Sequence, residues 1–577
     1  RIERSMNLSI FEKITQKPFY LTETQAGWVK KTLDGMSKEE KIGQLFCHVA
    51  YSDDEAYLKK LVNEYHAGGV MGRPQPLESV VRFASIIQRE AKIPLLIAAN
   101  FEAGGDGLVD EGVNVGPNLQ VAATGSADIA ANQGKVCGKE GSAAGANWAF
   151  APVIDIEHNF RNPITGTRTY GADPETVKLF GESYVKAVQA EGVAACIKHF
   201  PGDGVDERDQ HLVSSVNSLD CDEWDKKYGA AYKASIDAGA LSVMAGHIML
   251  PAYSKRINPE LKDSDVLPAS LSYELLTGLL RERLGFNGLI ATDASTMAGF
   301  TIPMSRAKGV PASIMAGADV FLFSKNIDED YEYMTKGVDE GTLTLERLDE
   351  AVTRILALKA ALGLPEKKDA NTLIPVLENA KKVIGCPEHL AIEEECSDKG
   401  VTLVKNLDGA LPLSPEKTPR VLLYPIFSTG GFYKTDARVG EKMKEAFEQE
   451  GFKVDIFAPK PGYEGMLERF DELPKHYDLL VYVANLMTKS NQTVVRIEWE
   501  PPMCANGPIY LNVVPTVFIS FANPYHLIDV PRIRTMINAY CFKPANIKAV
   551  MDKLMGRSEF KGSSPIDAFC GKWDTRL

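Results

Sequence analysis

Short, continuously apolar runs alternate with amphipathic stretches over the first two thirds of the chain, and this alternation sets the expected architecture. Leu95–Ala99, Gly192–Ile197, Gly288–Thr292 and Ala318–Phe323 lack a polar face, as parallel strands covered on both sides do. Helical patterns separate them, the clearest from Leu345 to Leu362. The region 1–365 therefore reads as a (β/α)8 TIM-type barrel. Charged Pro365–Asp369 opens a helical linker, placed at 366–399. Beyond it, the apolar runs Val421–Tyr424, Val454–Phe457, Leu479–Val483 and Thr516–Phe521 and the helical stretch Glu441–Glu450 predict a three-layer α/β/α sandwich over 400–577. The fold class is thus α/β, and a chain of 577 residues fits two domains of unequal size.

Strand ends in such a barrel carry chemistry at their C-terminal side. The segment Ile197-Lys198-His199-Phe200-Pro201-Gly202-Asp203-Gly204 ends one predicted strand in a lysine and an imidazole, then breaks into a polar loop. That loop contains Asp209-Gln210-His211, and no hydrophobic pattern ties it to a core. Asp209 is placed to orient one nitrogen of His211 and leave the other free for proton transfer. A second strand pattern, Gly288–Thr292, ends in Asp293, which faces the same mouth in this reading. A third cluster, Phe150–Ile156, includes Asp155 and leads into Arg161 and Arg168.

Taken in order along the chain, these segments and their neighbours resemble glycoside hydrolase family 3, in its β-N-acetylglucosaminidase branch. The resemblance is carried by Met36–Phe46, Gly68–Gly72, Phe150–Ile156, Lys198–Gly204, Val243–Pro251, Pro268–Ser272 and Leu279–Ser295. It implies that Asp293 is the nucleophile of a retaining mechanism and that Asp209 and His211 form an acid/base dyad. It also implies that Lys198, His199, Arg168 and Asp155 hold sugar hydroxyls and that His247 lies close to the pocket. The expected activity is exo-acting release of terminal β-linked N-acetylglucosamine, from peptidoglycan or chitin fragments. A histidine acid, once deprotonated, does not repel an anion as a carboxylate does. Phosphorolysis with phosphate as acceptor therefore stays open, for an N-acetylglucosaminide or a glucoside. A mechanism in which the substrate's own acetamido group attacks is the rival to Asp293.

Three departures from the branch pattern bear on specificity. Asn100 stands where the relatives carry an aspartate, so that position offers hydrogen bonds without charge. Asp203 replaces the second histidine of the branch's glycine-rich loop and is read as a solvated side chain. Ala294 and Ser295 follow Asp293 where another acid is common. In other branches the second domain supplies the acid; its nearest candidates here, Glu498 and Glu500, read as a solvated loop.

Charge narrows the partners further. A net charge of −13 argues against nucleic acid and against an anionic membrane surface. Nine cysteines without paired spacing argue against a disulfide framework or a CxxC metal site, and Cys47-His48 reads as core; no metal or cofactor is implied. The start of the chain, Arg1–Met6, lacks the apolar run of a signal peptide, and no window is apolar enough to span a membrane, so a cytoplasmic enzyme is expected. Two other classes fit part of the pattern. Lys198 at a strand end also suits a Schiff-base aldolase, and Asn100 also suits a sugar-binding module without turnover.

Overall fold

The computed structural model describes residues 8–428, 436–488, 490–491, 493 and 495–577. Residues 1–7, which include the Arg1–Met6 segment read for a signal peptide, lie outside the described residues. The chain divides into two compact units.

The first unit comprises Arg1–Asn114, Ala130–Ile156 and Pro174–His389. Its eight parallel strands are β1 (Phe46–Val49), β2 (Gly69–Met71), β3 (Leu96–Ala99), β4 (Trp148–Ala149), β5 (Ala194–Phe200), β6 (Ser242–Ala245), β7 (Leu289–Thr292) and β8 (Phe321–Leu322). They pair in chain order, and β8 returns to β1 through Phe46↔Phe321 and Cys47↔Leu322. A parallel bridge, Ala291↔Val320, joins β7 to the start of β8 and closes the ring. Strand residues are buried on both faces, which is why their sequences are apolar throughout. Helices pack outside the ring, and one of them, Leu345–Ala361, is buried around its whole circumference from Ala351 to Ala360. It is capped by the Thr344 side chain accepting from Arg347 N.

Two strands are shorter than their apolar runs. In the segment Phe150–Ile156 only the bridge Val153↔Lys198 is sheet-like, because Pro152 has no N–H to continue a ladder. In Ala318–Phe323 only Phe321 and Leu322 are strand, because the fully buried Asp319 carboxylate takes Ile290 N–H at 2.9 Å and pairs with Arg281 and Arg347.

The second unit comprises Val115–Ile129, Glu157–Asp173 and Leu390–Leu577. Its strands are β9 (Thr402–Asn406), β10 (Arg420–Phe427), β11 (Lys453–Ile456), β12 (Leu479–Asn485), β13 (Thr516–Ser520) and β14 (Thr535–Asn538). The sheet order is β9-β14-β13-β12-β10-β11, parallel except for antiparallel β9. One face, with Val421, Leu423, Val481, Val517 and Ile537, is covered by helices Val439–Gln449 and Pro544–Leu554. The opposite face, with Leu422, Tyr424, Tyr482, Phe518 and Met536, packs against Leu486, Ile497, Tyr510 and Leu527 from loops and short turns.

Candidate active site

Five consecutive strand ends bring the predicted residues to one mouth of the barrel. Asn100 follows β3, Asp155 follows β4, Lys198 and His199 lie at the end of β5, His247 follows β6 and Asp293 follows β7. The β5–β6 register shifts between Ile197 and Phe200. Such a bulge breaks the in-out alternation of a strand and re-aims side chains, which suits a Lys-His pair whose members would otherwise face opposite ways.

Lys198, His199, Asp155 and His247 are each held by a neighbour. Lys198 Nζ lies 2.7 Å from Glu102 Oε1. Asp155 is buried and accepts from His199 N at 3.0 Å, from His199 Nδ1–H at 2.7 Å through its other oxygen, and from Asp203 N at 2.8 Å. Both oxygens of Asp155 are thus committed to fixing the His199 ring and the start of the loop. His247 is fully buried; Nδ1 faces Ser270 Oγ at 2.8 Å and Nε2 donates to Ala294 O at 3.0 Å. Asn100 is exposed.

The Asp209–His211 loop is a fixed part of this mouth. Asp209 is buried, and its Oδ1 accepts from His211 N at 2.8 Å and from His211 Nδ1–H at 2.7 Å, which leaves Nε2 for proton transfer. The His211 side chain keeps 27% of its exposure. Backbone bonds clamp the loop to the turn after Asp293, from Ala298 N to His211 O at 3.0 Å and from Gly299 N to Gln210 O at 3.3 Å. Asp203, read as solvated, is instead 1% exposed. Its Oδ1 accepts from Gly204 N at 2.7 Å and its carbonyl from Tyr228 Oη–H at 2.7 Å. The reason is tertiary: Asp155 and Tyr228 close around it, and neither is near it in sequence.

Asp293 is partly exposed, and its Oδ1 accepts from Ala294 N at 2.7 Å. Burial is the largest influence on its carboxyl and opposes ionisation. The imidazoles of His199, His247 and His211, with the Ala294 N–H, outweigh it and set the pKa below the ordinary carboxylate value. Burial in turn lowers the pKa of His247, which favours its neutral form. The site therefore holds an ionised carboxylate beside an imidazole–carboxylate pair, which suits attack on an electrophilic carbon coupled to proton transfer.

Sequence reasoning missed three contributors: Glu102, Gln210 and Ser270. Glu102 was visible as the acid within the segment that includes Asn100; the other two carry no local signal. Arg168 falls in the second unit, where its backbone carbonyl accepts from Asn118 Nδ2 at 2.9 Å. Glu498 and Glu500 are exposed on a loop of that unit, as read. No disulfide joins the cysteines among the described residues, and Cys47 and His48 are core, with His48 beside the stacked rings of Phe46 and Tyr331.

A closed parallel barrel with an ionisable carboxylate and a carboxylate-held imidazole at its C-terminal mouth has the architecture of (β/α)8 enzymes. Residues 37–358 match the N-terminal domain of glycosyl hydrolase family 3. The chain belongs to that family. It is 50% identical over 566 residues to a β-N-acetylglucosaminidase/β-glucosidase of Cellulomonas fimi, covering 98% of this chain and 100% of the relative. A β-hexosaminidase A of Pseudoalteromonas piscicida is 28% identical over 64% of each chain. Among solved structures, a β-glucoside phosphorylase, BglX, aligns with a TM-score of 0.91 and 43% identity over 98% of this chain and 100% of its own. A family 3 β-N-acetylglucosaminidase of Paenibacillus sp. str. FPU-7 aligns with a TM-score of 0.78 and 25% identity, over 93% and 100%. Among the described residues no helix is long and apolar enough to cross a membrane.

Proposed function

We propose that the protein cleaves terminal β-linked N-acetylglucosamine, and β-linked glucose, by a double displacement with retention. Asp293 attacks the anomeric carbon, the bond to the leaving oxygen breaks, and protonated His211 gives its Nε2 proton to that oxygen. In the second step His211 takes a proton from water as the water attacks the same carbon, and the bond to Asp293 breaks. Asp209 holds the His211 ring by Nδ1 and stabilises its charged form. Lys198, His199 and Asn100 hold sugar hydroxyls, while Asp155 and His247 position the groups beside them.

The observation that carries this reading is the state of Asp293, which is ionised against its own burial beside a carboxylate-held imidazole. Retaining catalysis by two carboxyls needs them ~5–5.5 Å apart, with one of them protonated. Here an imidazole, with an ordinary pKa of about 6.5, replaces the second carboxyl. The sugars follow from the names of the relatives at 50% and 28% identity. Ends of peptidoglycan or chitin fragments are the natural substrates this suggests.

The same imidazole favours a second reading of the acceptor. After giving up its proton, His211 is neutral, and an incoming phosphate does not meet a second carboxylate. The relative named as a β-glucoside phosphorylase, 43% identical over nearly the whole chain, supports phosphate in place of water. Two measurements test the proposal. A 2-fluoro glycoside should label Asp293 covalently, and turnover with no labelled peptide would favour attack by the acetamido group. Product analysis with and without inorganic phosphate separates the acceptors. Accumulation of a sugar 1-phosphate marks phosphorolysis, and free sugar alone in both marks hydrolysis.

A further inference from the structure

Gln210, between the two members of the dyad, has no chemistry of its own, yet it is 1% exposed and tied to three segments at the site. Its Oε1 accepts from His247 N at 2.7 Å, at the end of β6. Its carbonyl accepts from Gly299 N at 3.3 Å, in the helix after Asp293. Its Nε2 donates to Asp203 Oδ2 at 3.3 Å, and Asp203 is in turn pinned to Asp155 below His199. The β5 end, the β6 end and the turn after Asp293 thus meet at one buried side chain whose neighbours on either side are Asp209 and His211. A buried amide can satisfy this arrangement only in one orientation, because its oxygen must face the His247 N–H and its nitrogen the Asp203 carboxylate.

We propose that the Gln210–Asp203 pair is a positioning clasp that sets where the His211 imidazole stands over Asp293. The inference rests on His211 being the acid. The aspartate at 203, a departure from the branch's histidine, then serves as the acceptor that fixes the Gln210 amide. An imidazole placed about 1 Å off its line costs on the order of a hundredfold in the step it serves. Steps that do not need the proton are spared.

The experiment uses kcat/KM, which reports the first displacement, on β-glycosides with a good leaving group (a nitrophenol) and a poor one (a sugar). Asp203→Asn and Gln210→Glu should each lower kcat/KM on the poor leaving group on the order of tenfold to a hundredfold, with little change on the nitrophenyl substrate. The double variant reverses the polarity of the clasp. The amide at 203 then donates to the carboxylate at 210, which keeps an oxygen for the His247 N–H. It should recover most of the loss. Gln210→Met, similar in size and without charge, reads the same leaving-group-dependent loss should a carboxylate at 210 hinder folding. Losses that are equal on both substrates, no loss in Gln210→Met, or a double variant as poor as the two singles combined would overturn the clasp. His211→Ala is the control. If it shows no leaving-group dependence, the acid assignment has failed rather than the clasp.

Discussion

At Asp293 three imidazoles and one backbone N–H outweigh burial, and the balance is open to test residue by residue. As the proposed nucleophile Asp293 works only when ionised, so activity should fall as pH drops through its pKa, which lies below the ordinary carboxylate value. His199 is the largest of the influences that lower it. His199→Gln should therefore raise the pKa and move the acidic limb of the kcat/KM profile to higher pH; an unmoved limb would show that His199 does not govern Asp293. His211→Ala should reduce kcat/KM on a disaccharide by about 10²–10⁴-fold and spare a nitrophenyl glycoside much more, since a good leaving group needs little protonation. Equal losses would remove His211 from the acid role. At this scale the sequence was informative about identity and poor about environment. Asp293, Asp209 and His211 stood out as strand-end and loop residues, whereas Asp203 looked solvated because Asp155 and Tyr228, which enclose it, are 48 and 25 positions away.

The element that matters most is the loop after β5. It follows a strand bulge and two glycines with φ of +118° (Gly202) and +107° (Gly204). A Cβ at Gly204 would lie 1.9 Å from the Ile156 carbonyl oxygen, and one at Gly202 would enter the Tyr228 ring. Gly204→Ala should cost about 1–3 kcal/mol through backbone strain. It should also lower kcat/KM on poor leaving groups, because the displaced loop carries Asp209 and His211. A variant with wild-type melting and wild-type kinetics would show that the loop tolerates the shift. Pro201, Gly202 and Gly204 marked this break in the sequence, since each is a residue that regular strand or helix disfavours. Its ties were invisible there, because they are polar bonds to Asp155, His247 and Gly299 rather than an apolar stripe. Strand lengths failed for a related reason. The run Ala318–Phe323 is apolar except for Asp319, yet that buried carboxylate, paired with Arg281 and Arg347, replaces part of the ladder.

Across the whole molecule, each compact unit buries an imidazole away from its chemistry. His48 in the first and His526 in the second are fully buried, have no hydrogen-bond partner among the described residues, and have pKa values lowered by burial to about 4. A folded-state pKa below the unfolded value of about 6.5 means that stability is complete above that pH and lost as pH falls toward 4. For His526 the loss between pH 7 and pH 4.5 is on the order of 2–3 kcal/mol. His526→Leu should therefore flatten the acid side of the stability profile of the second unit, measured by denaturant unfolding at both pH values. Equal slopes in the two proteins would show that His526 does not set it. The sequence by itself determined the barrel and the sandwich, because burial on both faces leaves a local, unbroken apolar signature. It also marked the residues whose chemistry is rare at strand ends. Only the tertiary structure decided which of them touch. The Asp155–His199 pair, the Gln210 clasp and the imidazoles around Asp293 depend on distances between strands far apart in the chain, and side-chain direction at a bulge follows no periodic rule.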